Sequence, residues 1–314
     1  FTVSYTTTLD GEERTGVVRG TADYPSATDQ AARYNLTVFS SAVTSTGLLT
    51  QLAESGLSVT AFAPSNAAFL AALDANDDGE LSNAELPSPG VLAQVLRYHA
   101  AIGSLPTEDI SDGQTVPTAL DGAFPPGADN ASQSQWSVPL TLNVGSEDTV
   151  TVNGIATGSK VISPDIPTSE GIFLHKTDGV LLPSSVVSAN DQEVSRTSGV
   201  DSVYVEGAYL SEGGFIVIHE ENSDGTIGSP IGNSEYLQGS TSGAPEQGFH
   251  RNVGVELDSQ LSDTTTVVAM THRDTNGNQV YEFGIVPGAD GPYYRTSNQQ
   301  VSVVDTARVA ATAP

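Results

Sequence analysis

The spacing of apolar residues changes twice along the chain, from strand-like to helical and back to strand-like. Residues 1–9 alternate large apolar with small polar side chains, which is the period of a half-buried strand, and Asp10-Gly11 supplies turn chemistry before a return strand at residues 14–19. Helical spacing follows at residues 48–52, 66–73 and 91–99. Ser65 is a predicted N-cap for the second of these helices.

The rest of the chain has the pattern of short strands. Before residue 184 the strand-like runs are 138–144, 150–152 and 171–182, and after residue 200 they are 203–205, 215–219, 252–257, 266–271, 280–285 and 301–304. Clusters of Gly, Asp, Asn and Ser separate the later runs at regular intervals, which predicts an antiparallel β-sandwich. Residues 184–200 are small and polar without strong periodicity, and we place a domain boundary there. A chain of 314 residues is long enough for two such cores.

The charge composition excludes several classes of partner. The chain has 38 acidic and 11 basic residues and a formal net charge of -27, so it would repel nucleic acids and anionic membranes. Only Lys160 and Lys176 are lysines, and an acid-rich, lysine-poor surface predicts a halophilic or marine source. With no cysteine, the chain lacks disulfides, thiolate metal sites and thiol nucleophiles.

An extracellular or cell-surface location is expected. No apolar run is long enough to span a bilayer, and a chain that starts at Phe1 without a leader fits a processed, exported protein, although a fragment trimmed at this point would start in the same way. Asn35-Leu-Thr37 and Asn130-Ala-Ser132 are glycosylation sequons. They matter only if the chain is exported by a host with the machinery, and such triplets also arise by chance in a chain rich in Ser and Thr.

Residues 74–85 have the pattern of a twelve-residue EF-hand calcium loop. Gly79 stands at the sixth position, where a sharp turn is needed, and Leu81 at the eighth is the apolar residue that anchors the loop. The predicted Ca²⁺ ligands are the side chains of Asp74, Asn76, Asp78, Ser82 and Glu85 and the backbone carbonyl of Glu80. Pro87 and Pro89 rule out the continuous exit helix of a calcium sensor, so we predict a structural clamp. The alternative is a solvated acidic turn with accidental spacing.

A second candidate calcium site lies in the last third of the chain. Asp274, Asn276 and Asn278 recur at alternate positions, and Glu282 is the residue predicted to complete the set. This segment lacks a glycine at the sixth position and a carboxylate at the twelfth. Asn-Gly is equally a good hairpin turn, so an ordinary turn is the alternative.

The sequence offers no catalytic motif. The five histidines, at positions 99, 175, 219, 250 and 272, include no pair at i, i+4, and neither an HExxH nor a Gly-x-Ser-x-Gly pattern occurs. His99 and His175 are predicted to be buried, hydrogen-bonded core residues. We therefore predict a protein that is not an enzyme.

Three sequence blocks, in order, resemble those of the fasciclin-like domain of cell-adhesion and extracellular-matrix proteins. The blocks are Thr60-Ala-Phe-Ala-Pro-Ser-Asn-Ala-Ala-Phe69, Tyr98-His99 and Gly171-Ile-Phe-Leu-His-Lys-Thr-Asp-Gly-Val-Leu-Leu-Pro183. The resemblance implies an α+β fold for residues 34–184, a helical cluster packed on a small β-wedge, with residues 74–85 as an insertion. Residues 203–209 and 270–278 are in turn similar to a β-rich domain of halophile surface proteins.

Together these observations predict the domain organisation and a surface role. The segments are an N-terminal strand or hairpin extension at 1–33, the fasciclin-like domain at 34–184, a linker at 185–200, a β-sandwich domain at 201–309 and a tail at 310–314. The leading prediction is an extracellular calcium-binding adhesion or surface-structural protein whose partners are other surface or matrix proteins or glycans. Polymerisation into a filament through the N-terminal strand is a narrower form of it. The alternative is a secreted protein that binds a small apolar ligand, a lipid or a pigment.

Overall fold

A computed structural model describes the helices and strands of most of the chain. It covers residues 2–9, 12–19, 24–54, 58–120, 138–146, 149–169, 171–195, 201–241, 244–261, 263–295 and 302–312. In this part of the chain the α-helices are α1 (Ala27–Arg33), α2 (Thr37–Ser45), α3 (Leu48–Glu54), α4 (Asn66–Leu73) and α5 (Pro89–Tyr98), with short 3₁₀ helices at Thr107–Asp109 and Pro245–Gly248.

The strands form three sheets. An N-terminal hairpin consists of β1 (Thr2–Leu9) and β2 (Glu12–Arg19). The first domain contains β3 (Val59–Pro64), β4 (Ala100–Ile102), β5 (Gln114–Val116), β6 (Leu140–Val144), β7 (Val150–Asn153), β8 (Gly158–Pro167) and β9 (Phe173–Thr177). The second contains β10 (Ser185–Ala189), β11 (Gln192–Ser195), β12 (Ser202–Leu210), β13 (Gly214–Glu221), β14 (Ile227–Asn233), β15 (Phe249–Leu257), β16 (Thr265–Arg273) and β17 (Val304–Thr312).

The first domain packs its helices on a seven-stranded sheet in the order β4-β3-β9-β8-β7-β6-β5. Strand β3 pairs in parallel with β9 and antiparallel with β4, and all six of its residues are buried. A strand covered on both faces is a continuous run of small and apolar residues, as Thr60-Ala-Phe-Ala is here. Phe62, Phe69 and Leu96 lie at the centre of the core.

Helix α1 belongs to this domain and not to the N-terminal extension that the sequence predicted for residues 1–33. The Ser26 Oγ accepts a hydrogen bond from Asp29 N (3.1 Å) and so caps the helix. Gln30 Nε2 donates to the Pro167 carbonyl at 2.7 Å, and Ala31 is buried in the core. Seven residues make two turns, which is too short a helix for a clear apolar period, so the pattern missed it.

The second domain is β-rich, as predicted, but its strands form one continuous sheet in the order β10-β12-β15-β14-β13-β16-β17-β11. Most neighbours are antiparallel, but β11 pairs in parallel with β17. Side chains from across the sheet, including Val187, Val205 and Ile218, share one core.

The predicted linker at 185–200 is wrong for residues 185–195, which form β10 and β11. Ser185, Val186, Val187 and Ser188 are all buried, so no alternation between apolar and polar residues marks the strand. The Ser185 hydroxyl donates to the Tyr209 carbonyl at 2.7 Å, which satisfies a buried polar group inside the sheet.

Three further differences from the predicted strands and tail need to be reported. Residues 280–285 form a loop and not a strand, and Val280 and Ile285 are exposed. Strand β14 was not predicted because Gly228, Pro230 and Gly232 give its sequence the composition of a loop. Residues 310–312 of the predicted tail belong to β17 and pair with β11.

The two domains meet where α5 begins. The Glu206 carboxylate, from β12, accepts hydrogen bonds from Gly90 N (3.2 Å) and from Ser188 Oγ (2.8 Å). An acidic side chain at a helix N-terminus is stabilising because the helix dipole is positive there. Val186 and Tyr209, both from the second domain, are buried in the core of the first. The interface is therefore packed like a core.

Candidate metal sites

The loop of residues 74–85 lies between α4 and α5 and folds around its own acidic side chains. The Asp74 carboxylate accepts hydrogen bonds from Asp78 N (3.2 Å) and Gly79 N (2.8 Å). Asn76 Oδ1 accepts from Asp78 N at 2.9 Å, and Asp78 Oδ1 accepts from Glu80 N at 2.9 Å. These bonds turn the oxygens of Asp74, Asn76 and Asp78 toward the inside of the loop.

The backbone of this loop needs a left-handed residue at its sixth position. Gly79 has φ 79°, a conformation that glycine adopts without strain, and Asp77 has φ 57°. At the end of the loop the Glu85 carboxylate accepts from Ser82 N (2.9 Å) and from Ser82 Oγ (2.7 Å). These bonds, that from the Ser82 hydroxyl foremost, lower the pKa of Glu85. The carboxylate is therefore held in its charged form.

The other oxygen of Glu85, Oε1, is buried and has no hydrogen-bond partner. The carboxylates nevertheless do not form a ready-made shell, because no three His, Asp or Glu side chains converge on a common point in the described part of the chain. Asn76 Nδ2 instead donates to Asp78 Oδ2 at 3.0 Å. Calcium binding by Asp74, Asn76, Asp78, Glu80, Ser82 and Glu85 stays a prediction.

The second candidate segment folds in the same way as the first. The Asp274 carboxylate accepts from Asn278 N (3.2 Å) and Gln279 N (2.8 Å), and Asn276 Oδ1 accepts from Asn278 N at 3.2 Å. Asn278 Oδ1 in turn accepts from Val280 N at 2.8 Å. Each bond has its counterpart in residues 74–80. The missing glycine does not prevent this fold, because Gln279 adopts φ 61° at the same position as Gly79.

The side chains of the second loop are nevertheless arranged differently. Glu282 Oε2 accepts hydrogen bonds from the amides of Asn276 (2.8 Å) and Asn278 (2.7 Å). The Glu282 carboxylate thus binds the amide nitrogens of Asn276 and Asn278 and not their oxygens. Their carbonyl oxygens accept backbone N–H groups of the loop.

Asp290 holds the second loop closed, and the sequence pattern did not identify it. Its buried carboxylate accepts from Thr275 N (3.2 Å) and Glu282 N (2.7 Å), so it caps the loop at both ends. In the first loop Glu85 likewise accepts from the amide at the ninth position. Asp290 lies outside any twelve-residue window that begins at Asp274, and no spacing rule could have found it.

The histidines are structural. His99 is buried between the Val95 carbonyl (2.8 Å from Nδ1) and Leu181 N (2.9 Å from Nε2), and this burial lowers its pKa to about 4. His175 bridges the Leu105 carbonyl and Asp165 N, and burial lowers its pKa too. Both are buried, hydrogen-bonded core residues, as predicted.

His219 and His272 stack on each other in the second domain, with their Nε2 atoms 3.4 Å apart. The Nδ1 atom of each lies within hydrogen-bonding distance of a backbone carbonyl, and burial lowers the pKa of His272 to about 4. His272 contacts the Asp290 carbonyl and so ties the second loop to the sheet.

Two concave regions bear on the alternative of a small apolar ligand. An apolar cavity between the helices and the sheet, lined by Phe39, Leu96 and Leu174, has a volume of about 50 Å³. A larger depression of about 670 Å³ lies beside β8, and its lining includes Glu108 and Lys160. Small-molecule sites are mostly apolar and on the order of 300–1,000 Å³. The cavity is far smaller than such a site, and the depression has a mixed lining, with Glu108 and Lys160 beside apolar residues such as Val144 and Val161.

Each of the two domains is similar to a known protein family. Residues 34–183 match the family described as the fasciclin domain, and residues 185–310 match a family described as a domain of unknown function (DUF7282). No helix in the described ranges has the length and apolar character needed to cross a bilayer.

Two relatives are cell surface glycoproteins of Haloarcula hispanica. Cell surface glycoprotein 1 is 40% identical over 139 residues, which cover 44% of this chain and 13% of the relative. Cell surface glycoprotein 2 is 38% identical over 143 residues, 45% of this chain and 13% of the relative. The chain thus matches only a small part of the length of these relatives. Among solved structures, the FAS1 domain pair of the insect cell adhesion molecule fasciclin I is similar, with 23% identity and a TM-score of 0.34 over 48% of this chain and 46% of that one.

Proposed function

We propose that this chain, which carries a fasciclin domain followed by a DUF7282 domain, is an extracellular adhesion or surface-structural unit and not an enzyme. Its homology to two cell surface glycoproteins of a halophile carries the proposal. The net charge of -27 supports it, because an acidic, lysine-poor surface stays hydrated at high salt. The core-like interface between the domains fits a load-bearing surface protein better than a protein with a moving cleft.

The adhesion proposal is tested with the purified chain and cells of Haloarcula hispanica. The fluorescently labelled chain, added at high salt, is expected to bind the cell surface saturably and to be displaced by excess unlabelled chain. An unrelated halophilic protein of similar net charge is the control. Binding no stronger than that of the control contradicts the adhesion role.

Calcium is the proposed structural cofactor of the loop at residues 74–85. Five carboxylates and no basic residue lie in these twelve residues, and like charges repel when they are not neutralised. The Arg251 guanidinium reaches the loop but donates to the Asn83 carbonyl (2.9 Å) and not to a carboxylate. Oxygens of Asp74, Asn76 and Asp78 already face the inside of the loop, and Glu85 Oε1 is buried without a partner. Hard oxygen donors of this kind suit Ca²⁺. The second loop, with Asp274, Asn276, Asn278 and Glu282, is a weaker candidate because it carries fewer charges.

Chelation decides the calcium proposal. In saturating Ca²⁺ at about 100 times its Kd, binding stabilises the folded state by about 2.7 kcal/mol, and EDTA should remove that gain. The control is the variant Asp74→Asn/Asp78→Asn, which keeps the size of both side chains and should melt at the same temperature with and without EDTA. Assays at two high NaCl concentrations separate coordination from screening, because screening is already nearly complete there. Equal EDTA responses of wild type and variant contradict calcium binding at this loop.

Polymerisation through the N-terminal hairpin is a second proposal. Strands β1 and β2 pair through eight residues, from Thr2 opposite Arg19 to Leu9 opposite Glu12, and in the described chain this sheet has two strands only. An isolated two-stranded hairpin is marginally stable in water, so an added strand or sheet edge from a neighbour would stabilise it. Electron micrographs of the chain with and without residues 1–19 test this. Filaments that persist without the hairpin contradict strand addition.

A further inference from the structure

The turn between α1 and α2 presents the triplet Asn35-Leu36-Thr37 at the surface. Helix α1 ends in a Schellman motif, in which Leu36 N donates to the Ala31 carbonyl (2.8 Å) and Asn35 N donates to the Ala32 carbonyl (3.3 Å). Asn35 has φ 57°, the left-handed conformation that this motif requires. Leu36 is fully buried and fixes the turn, while Asn35 and Thr37 on either side of it are exposed.

One amide side chain organises both polar residues of the triplet. Asn66 Nδ2 donates to Thr37 Oγ1 (2.8 Å) and, more weakly, to Asn35 Oδ1 (3.4 Å), while Asn66 Oδ1 accepts from Val38 N (3.1 Å). The carboxamide oxygen of Asn35 therefore faces Asn66. Its Nδ2 makes no hydrogen bond to the described chain and is open to solvent.

The fold explains an asparagine at position 35, and it gives the hydroxyl at position 37 one role, which is to accept a hydrogen bond from Asn66. Left-handed φ favours Gly or Asn, so Asn35 alone would carry no information. Thr37, however, is the first residue of α2 and not its cap. The cap position is Leu36, which offers no side-chain hydrogen bond. A hydroxyl at position 37 is thus not the usual capping group, and its position two residues after an exposed asparagine completes an Asn-x-Thr acceptor.

We propose that Asn35 is a site of N-linked glycosylation. In the reaction, a bond forms between Asn35 Nδ2 and the anomeric carbon of an oligosaccharide carried on a polyprenyl phosphate lipid. The bond from that carbon to the phosphate oxygen breaks, the lipid phosphate leaves with the electron pair, and the amide nitrogen loses one proton. The host's oligosaccharyltransferase supplies the catalyst and the lipid-linked sugar. The inference rests on the proposed cell-surface location, because only an exported chain meets that enzyme.

Three substitutions isolate the acceptor from the fold. Asn35→Gly keeps the left-handed conformation and removes the acceptor amide. Thr37→Ala leaves Asn35 in place and removes the hydroxyl that the acceptor triplet needs, and Thr37→Ser restores that hydroxyl. Equal melting temperatures of the unglycosylated proteins made in bacteria verify that the variants fold alike.

The test is expression of the full chain in Haloarcula hispanica behind a host signal peptide, which forces export whether or not the adhesion proposal holds. Mass spectrometry of peptides from the exported fraction is expected to show hexose-containing mass on the peptide with Asn35 in wild type and Thr37→Ser, and none in Asn35→Gly or Thr37→Ala. The peptide with Asn130, which lies outside the described residues, is scored in the same digest.

The outcomes of this experiment distinguish the glycosylation proposal from the adhesion proposal. An unmodified Asn35 in exported wild type, beside glycosylated host surface proteins from the same preparation, overturns the proposal. Modification of Asn130 alone also overturns it. Failure of cell binding in the adhesion assay, with Asn35 glycosylated, removes the adhesion role and leaves this site standing.

Discussion

Gly90, at the start of α5, is the residue on which the contact between the two domains depends most sharply. A Cβ added there would lie 2.0 Å from Ser188 Oγ, 2.5 Å from Glu206 Oε2 and 2.8 Å from Ser188 Cβ. All three contacts are too close to be tolerated. Two of the atoms, Ser188 Oγ and Glu206 Oε2, bond to each other within the second domain, and the same carboxylate accepts the Gly90 N–H through Oε1 and so joins α5 to that domain. Gly90→Ala must therefore push β10 or the Glu206 side chain away from the helix.

The expected loss of stability follows from three terms. Overpacking in a filled site costs about 1–3 kcal/mol. Weakening the hydrogen bonds to the Glu206 carboxylate costs about 1.5–3 kcal/mol more. The better helix propensity of Ala returns at most about 1 kcal/mol, and less in the first turn. The variant should lose about 2–5 kcal/mol, which for a chain of this size lowers the melting temperature by roughly 3–8 °C.

The assay is differential scanning calorimetry at high salt with Ca²⁺ present. Gly291→Ala is the matched control, because a Cβ at Gly291 meets nothing within 4 Å. The double variant Gly90→Ala/Ser188→Gly removes two of the three clashing atoms and should be more stable than the sum of the single losses predicts, by about 1 kcal/mol or more. A Gly90→Ala protein that melts with the wild type, or a double variant without rescue, would refute this account of the interface.

The buried histidine and the second acidic loop give two further expected outcomes. His99 has a pKa of about 4 in the folded protein, against its ordinary value of 6.5. As the pH falls, the unfolded chain therefore binds a proton at His99 before the folded chain does. About 3 kcal/mol of the free energy of unfolding that is present above pH 6.5 is lost by pH 4. Urea unfolding at pH 7 and pH 4.5 should show a smaller acid loss in His99→Gln than in wild type; equal losses contradict the assignment. Asp290→Asn places an amide nitrogen against the backbone N–H of Thr275 or Glu282, which destabilises the closed loop by about 1–3 kcal/mol. The variant should therefore show faster amide hydrogen exchange across residues 274–290. Unchanged exchange there contradicts the role given to Asp290.

The helical part of the fold was predictable where the helices are long enough to repeat their apolar spacing. Helix α5, with Val91, Leu92, Val95 and Leu96 buried, follows the predicted pattern closely. Helices α1 and α2 were missed. Helix α1 spans only two turns, and α2 carries small polar residues such as Ser40 and Ser41 through its middle. The fasciclin blocks located parts of the fold that periodicity did not, because they identify residues in strand β3 and in the turn after β9.

The candidate sites were predictable only as far as ligands lie close together in sequence. Asp74, Asn76 and Asp78 shape their own loop by bonding amides two to five residues ahead, and such local bonds follow from spacing. Asp290 acts across fifteen positions, on Thr275 N, because the chain leaves the loop and returns. Gln279 stands at the sixth position of the second loop, where the first loop has Gly79, and it takes the same left-handed φ. The hydrogen bond from Gln279 N to the Asp274 carboxylate holds it there, so the loop's hydrogen bonds override the residue's own conformational preference.

The predicted linker failed over residues 185–195 for a reason that also explains the interface. Small side chains let α5 approach the second sheet: Gly90 lies against Ser188, and a Cβ on Gly207 would come within 2.5 Å of Ser88 Oγ and 2.6 Å of the His250 carbonyl. Larger residues at these positions would hold the domains apart. The close approach of α5 to the sheet therefore selects Ser and Gly at these positions, and small residues of this kind also mark a flexible linker. In a chain like this one, a small-residue segment between two domains should be tested as an interface strand before it is assigned as a hinge.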